Sequence, residues 1–307
     1  MAVSRLSSEG VSRRGFLCGS AAVTAGALLA PGVLSRSPAS AATRITGATV
    51  NPHAYGISKW VKAANLFDSY VGEGPLAKTI QKIYLSEGSY PSNPFPPGMT
   101  GLAKVGCQFI VCVFPSRTTD ESAKLAAYLQ LLTSAGFKYR VALVNEWNAH
   151  GRFAPEQYLA YWSQYAPVIK AAGVPLCVLV CASSNKNAYN KIQPGFPTSP
   201  MPDQYWIDYY GEAYSYKVRL DTSGGLLDQA DSLGVPVGIG ESGYAVTGAL
   251  HMTMEIFNKY CAYLAGLAPR LQLGGLYWGS KGHDIITSAS DPKLPGIQQY
   301  IQALQTD

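Results

Sequence analysis

Two short apolar runs in this chain end in a glutamate. Arg140–Val144 leads into Asn145, Glu146, Trp147 and Asn148, and Val235–Ile239 leads into Gly240, Glu241, Ser242, Gly243 and Tyr244. Two carboxyl groups in unlike surroundings can divide the work of cleaving an acetal. One keeps its proton and gives it to the leaving oxygen, while the other, ionised, attacks the acetal carbon or activates water there. At the spacing of about 5 to 5.5 Å that double displacement needs, their repulsion leaves one protonated near neutral pH. Glu146, beside Trp147, is the expected proton holder because burial disfavours the charged form. Glu241 is the expected anion, supported by the Ser242 and Gly243 backbone N–H groups or by the hydroxyl of Tyr209 or Tyr210.

Other chemistries fit less well. Ser242 stands between Glu241 and Gly243, the wrong register for a nucleophile elbow. The four histidines, His53, His150, His251 and His283, show no paired ligand spacing, so no metal site and no cofactor are expected. A single glutamate after a strand is as well explained as a helix-start charge, so the pair carries the inference. Glu87 and Glu212 are rival carboxylates for which a substrate-binding or structural role is expected, and Trp147, Trp278 and His53 are candidates for the rim of the same site.

Composition agrees with a neutral ligand. Charged residues make up 14% of the 307-residue chain and hydrophobic ones 47%, enough apolar material for a large core and too few charges for disorder. Twenty tyrosines and five tryptophans offer ring surface suited to hydroxyl-bearing ligands. No dense Lys/Arg cluster argues for nucleic acid, and a carbohydrate substrate with a monomeric protein is the expectation.

The first 42 residues read as an export signal. Ser12, Arg13, Arg14, Gly15, Phe16 and Leu17 match the twin-arginine pattern, the apolar run Ala21–Ala30 follows, and Ala39–Ala42 offers small residues for cleavage. That run is too short for a membrane span. Without this segment 20 basic and 18 acidic residues remain, so the net charge of +5 was mostly the signal.

Residues 43–307 alternate apolar runs with helical patterns. Eight strands are expected, at Thr46–Asn51, Thr79–Leu85, Gln108–Phe114, Arg140–Val144, Leu176–Cys181, Tyr205–Tyr210, Val235–Ile239 and Gly275–Trp278. Most are continuously apolar, as in a parallel sheet buried on both faces. One helix is expected to start from a Thr118/Glu121 capping box and stop at Gly136, and another to open on Pro155 and stop at Gly173. Further helices are expected at Ser58–Val71, Gly225–Leu233, Thr253–Leu267 and Ile297–Leu304. Eight such units in about 265 residues predict a single-domain α/β protein, a (β/α)8 TIM barrel, whose chemistry sits at the strand C-termini. A doubly wound sheet lacks its phosphate loop here, since Asn51–Gly56 is not glycine-rich. The cysteines after the signal read as buried thiols.

Glutamates ending strands 4 and 7, the first preceded by Asn145, make the chain resemble the clan A glycoside hydrolases, which are retaining (β/α)8 enzymes. The resemblance implies that Glu146 is the general acid/base, that Glu241 is the nucleophile, and that Asn145 bonds the sugar hydroxyl beside the reacting carbon. It also implies a strand 6 tyrosine, Tyr209 or Tyr210, and an aromatic platform at Trp278. Three positions depart from the pattern: Trp147 replaces the usual proline, no arginine follows strand 2, and Asp208, Tyr209 and Tyr210 lack the strand 6 histidine. The expectation is an exported, retaining hydrolase of a neutral, β-linked oligo- or polysaccharide, with Trp147, Tyr244, Glu87 and His53 also lining the site. The alternative is a secreted carbohydrate-binding barrel without turnover.

Overall fold

The computed structural model describes residues 45–50, 80–92, 103, 107–149, 153–182, 196–210, 219–243, 252–279 and 288–305. The expected export signal, the helix expected at Ser58–Val71, and the residues His53, Glu212 and Tyr244 lie outside them. Ala41–Asp307 forms one compact unit.

The eight expected strands are present as β1 (Ile45–Val50), β2 (Ile80–Tyr84), β3 (Gln108–Val113), β4 (Lys138–Leu143), β5 (Leu176–Cys181), β6 (Gln204–Asp208), β7 (Val237–Glu241) and β8 (Gly274–Gly279). They form one curled parallel sheet in the order β1-β8-β7-β6-β5-β4-β3-β2. The described helices are α1 (Ser122–Ser134), α2 (Pro155–Ala171), α3 (Leu226–Leu233), α4 (Met254–Leu267) and α5 (Leu294–Gln305). No described helix is long and apolar enough to cross a membrane.

The strands are apolar on both faces because each face meets a different core. Phe109, Val111 and Val113 of β3, Val141 and Leu143 of β4, and Val178 and Val180 of β5 join the helices in the larger core. The alternate residues Ile110, Cys112, Ala142, Cys177, Leu179 and Trp206 fill the inner face, with Tyr84 and Leu273 against them. The period-2 pleat makes this division, and it decides which side chains reach the site. All five described cysteines are buried free thiols.

The helix ends follow the expected punctuation with one exception. Gly136 and Gly173 take φ of 76° and 71° just beyond α1 and α2, the left-handed step that ends a helix. Pro155 opens α2, where the Ala154 N–H donates to the Gln157 side chain at 3.0 Å. The Thr118/Glu121 capping box does not form. Helix α1 begins four residues after Thr118, and Glu121 turns its carboxylate back to the Ser116 N–H at 2.7 Å, fastening the β3–α1 turn instead.

Candidate active site

Glu146 stands in a turn of unusual backbone. Val144 and Glu146 have φ of 63° and 46°, a region that costs a β-branched residue about 1–3 kcal/mol. Contacts on both sides hold the turn. The Val144 N–H donates to the Val113 carbonyl at 2.9 Å, and the Ala149 N–H donates to the Glu146 carbonyl at 2.9 Å. Asn148 bonds both ways to the Cys181 backbone, each at 2.9 Å. Trp147 is buried and stacks on Tyr158 of α2, ring centroids 4.4 Å apart and ring planes nearly parallel. Trp147 therefore anchors the turn to the outer core.

Glu241 reaches the inner face through a register shift. Ile207 of β6 pairs with Ile239 of β7, but the next pair is Asp208 with Glu241, leaving Gly240 as an extra residue. Strict alternation would put Glu241 beside Val237 and Ile239, toward the helices. The bulge turns it inward. A Cβ at Gly240 would lie 2.6 Å from Asp208 Oδ1, so only glycine lets β7 pass there.

The carboxylate of Glu241 is tightly held. Oε1 accepts from Lys82 Nζ at 2.6 Å and from the Tyr84 hydroxyl, and Oε2 accepts from the Tyr210 hydroxyl at 2.8 Å. Lys82 also donates to both oxygens of Asp208, at 2.9 and 2.7 Å, and neither Lys82 nor Asp208 is exposed to solvent. Two buried carboxylates thus share one ammonium. Burial opposes its charge, but Asp208 and Glu241 outweigh burial and keep Lys82 protonated. Burial also pushes Glu241 up, and Lys82 with the two tyrosines overcomes it, holding Glu241 below the usual carboxylate range. Asp208 goes the other way: burial and the Glu241 charge raise it well above that range, with Glu146 adding to the repulsion and Lys82 opposing it. Donor count explains the split, since among the described residues Glu241 accepts from three side chains and Asp208 from Lys82 alone.

The structure therefore gathers Glu241, Asp208, Lys82, Tyr84 and Tyr210 into one cluster, with Glu146 close enough for its charge to act on Asp208 and Tyr210. Of the two candidate tyrosines, Tyr210 is the partner of Glu241. Tyr209 is buried against Tyr260 and Tyr263 of α4. Among the described residues the donors to the Glu241 carboxylate are side chains, in place of the expected Ser242 and Gly243 amides. Asn145 lines a cavity of about 340 Å³ with Tyr84, Leu85, Cys112, Val113 and Phe114. Trp278 is the fifth residue of β8, paired with Thr49. Glu87 is exposed and engaged by Arg117, whose backbone N–H and guanidinium reach it at 3.1 and 3.4 Å.

Lys82, Tyr84 and Asp208 were not foreseen, although a signal existed. A lysine inside Ile80–Tyr84 and an aspartate inside Gln204–Asp208 interrupt strands buried on both faces, and charges placed there must be paired. Lys82, from within β2, supplies the cation that pairs with Asp208 and Glu241.

No known family profile and no curated protein sequence matches this chain. Solved structures do. A fungal β-1,4-galactanase superposes with a TM-score of 0.56 at 12% identity, over 85% of this chain and 100% of that one. A GH30 endoxylanase from Clostridium papyrosolvens gives 0.55 at 13%, over 85% and 70%. A family 39 glycoside hydrolase from Bacteroides cellulosilyticus gives 0.56 at 14%, over 85% and 64%. The parallel curled sheet with its helices is thus the fold of these three glycoside hydrolases.

Proposed function

We propose that the protein is a retaining glycoside hydrolase acting on a neutral, β-linked oligo- or polysaccharide, with Glu241 as nucleophile and Glu146 as acid/base. The observation that carries this reading is a buried carboxylate at the end of β7, kept ionised by three donors. A surface glutamate needs no such support. The likeness to a galactanase and an endoxylanase supports cleavage within a polysaccharide chain. β1 and β2 approach each other, which supports closure of the sheet into a full (β/α)8 barrel. The first 42 residues act as a twin-arginine signal that exports the folded protein.

The mechanism follows from the hydrogen bonds. Oε1 of Glu241 is taken by Lys82 and Tyr84, so Oε2, with Tyr210 as its one donor among the described residues, has the lone pair to attack the anomeric carbon. Glu146 protonates the departing oxygen as the glycosidic bond breaks, leaving a glycosyl ester on Glu241. Glu146 then takes a proton from water, which displaces Glu241 and releases a sugar of unchanged configuration. Asn145, in the cavity wall beside Glu146, bonds the hydroxyl next to the reacting carbon.

The test joins a polysaccharide panel with product sizing to chemical rescue. Glu241→Gly loses nearly all turnover on an activated aryl β-glycoside, and azide restores it as a glycosyl azide of inverted configuration. A variant with the wild-type rate would remove Glu241 as nucleophile. A wild-type protein that binds glycans of the panel and cleaves none would be the binding barrel instead.

A further inference from the structure

Lys82 is bound by two carboxylates, and the proposed reaction neutralises one of them. When Glu241 becomes an ester, the buried ammonium loses the anion 2.6 Å away. An unpaired ammonium in that position would oppose the ester, because a buried charge without a counter-ion is strongly destabilising. Asp208 already sits on the same nitrogen through both its oxygens, at 2.9 and 2.7 Å. It is fully buried and lies across from Glu241 in the β6–β7 register. Its side chain has no place among the groups that meet the sugar, so the proposed mechanism leaves it without a task.

We propose that Asp208 is the counter-ion that holds Lys82 while Glu241 is esterified, a positioning residue for the glycosyl-enzyme rather than for the free enzyme. This deepens the reading of Glu241 as nucleophile and rests on it. In the resting site Glu241 is the stronger partner, with two tyrosines assisting. Glycosylation forms the bond from Glu241 Oε2 to the anomeric carbon, breaks the bond to the leaving oxygen, and moves the Glu146 proton onto that oxygen. The negative charge has then moved from Glu241 to Glu146. Lys82 turns fully to Asp208, and a proton carried by Asp208 passes to solvent as the Glu241 charge that retained it disappears. Hydrolysis of the ester returns the ammonium to Glu241.

The consequence is an asymmetry between the two chemical steps. Removing the Asp208 charge opposes formation of the ester, in which Lys82 would be unpaired, and favours its breakdown, which restores Glu241 as an anion. The test uses Asp208→Asn in the full-length protein, with the 2-deoxy-2-fluoro dinitrophenyl glycoside of the disaccharide that the wild type releases. The expected result is a fall of at least about tenfold in kcat/KM, which reports glycosylation, while the trapped adduct decays at the wild-type rate or faster. Equal slowing of both steps, as a merely structural role would give, overturns the proposal, and so does kcat/KM within about twofold of wild type. If Asp208→Asn does not fold, Asp208→Ser is measured in the same way. A wild type that hydrolyses polysaccharide yet forms no adduct on Glu241 overturns the retaining reading itself; an adduct there with symmetric slowing in the variant overturns only the counter-ion role.

Discussion

Asp208 faces Glu241 across the β6–β7 ladder, although the pair before them, Ile207 and Ile239, are residues that face the helices. One extra residue, Gly240, changes the face on which β7 continues. The bulge therefore does two things at once: it brings the nucleophile into the inner face and places it against a second carboxylate. Lys82 makes that arrangement tolerable by contacting both. The site is a charge cluster held within a sheet, where backbone pairing fixes positions more firmly than a loop would.

Gly240→Ala tests the bulge. Its Cβ would come within 2.6 Å of Asp208 Oδ1, which forces β6 and β7 apart or rotates Glu241. A loss of about 1–3 kcal/mol in unfolding free energy is expected, with kcat/KM down by more than tenfold. Gly266→Ala is the control. A Cβ there meets nothing within 4 Å in α4, and alanine should stabilise by about 0.5–1 kcal/mol. Denaturant midpoints and kcat/KM for both variants decide; equal midpoint shifts would deny the bulge its special constraint.

Tyr210→Phe separates the two adjacent tyrosines. It removes the hydroxyl that donates to Glu241 Oε2 at 2.8 Å, and a charge-assisted bond of this kind is worth about 1.5–3 kcal/mol. With one donor fewer, Glu241 is easier to protonate. The acid limb of the kcat/KM profile therefore moves to higher pH, and kcat/KM at the optimum falls about 10- to 100-fold. Tyr209→Phe, altering a ring packed on Tyr260 and Tyr263, should leave the acid limb in place. A shifted limb in Tyr209→Phe with none in Tyr210→Phe would reverse the assignment.

Lys82→Met removes the shared cation and leaves Asp208 and Glu241 buried together. Breaking a buried pair in this way costs about 3–5 kcal/mol. Activity should fall at least about a thousandfold, since the nucleophile then holds a proton to relieve the repulsion. The variant should also gain stability as pH falls, because protonation neutralises the repelling pair. Thermal unfolding followed from about pH 7 to pH 4 checks this; a variant whose stability rises no more steeply on acidification than that of the wild type would contradict it.

Much of this arrangement was legible in the sequence and some was not, for physical reasons. The apolar runs gave the strands because burial on both faces leaves no polar alternation, and Gly136 and Gly173 marked helix ends because a left-handed step favours glycine. Glu146 and Glu241 were legible as residues that follow strands. The face each occupies was not. By alternation Glu241 belongs to the helix side, and only the pairing of β6 with β7 reveals the bulge. Trp147 and Tyr209 look like ring surface for a sugar, yet each lies opposite a helix aromatic, Tyr158 or Tyr260, that competes for the same ring. Lys82 and Asp208, distant in sequence, could each be recognised as charges out of place, but only the fold brings them together.

Asp208 leads to a prediction about stability and pH. A carboxyl whose folded pKa is raised favours the fold in its protonated form. Its contribution is full below the unfolded value of about 3.9 and is lost as pH rises through the folded value. Glu241 has the opposite sign: its lowered folded pKa gives stability that is present above about 4.3 and lost as pH falls below it. The two windows separate them, since above about pH 5 the pH-dependent cost comes from Asp208. In Asp208→Asn that cost disappears, so the unfolding free energy of the variant minus that of the wild type should increase steadily from about pH 4 toward pH 8. Lost hydrogen bonding to Lys82 shifts the whole difference by a constant without changing its slope. Chemical denaturation at closely spaced pH values measures that slope. A flat or falling difference would mean that Asp208 is ionised in the fold as readily as in the unfolded chain, and that the single ammonium of Lys82 satisfies both carboxylates at once.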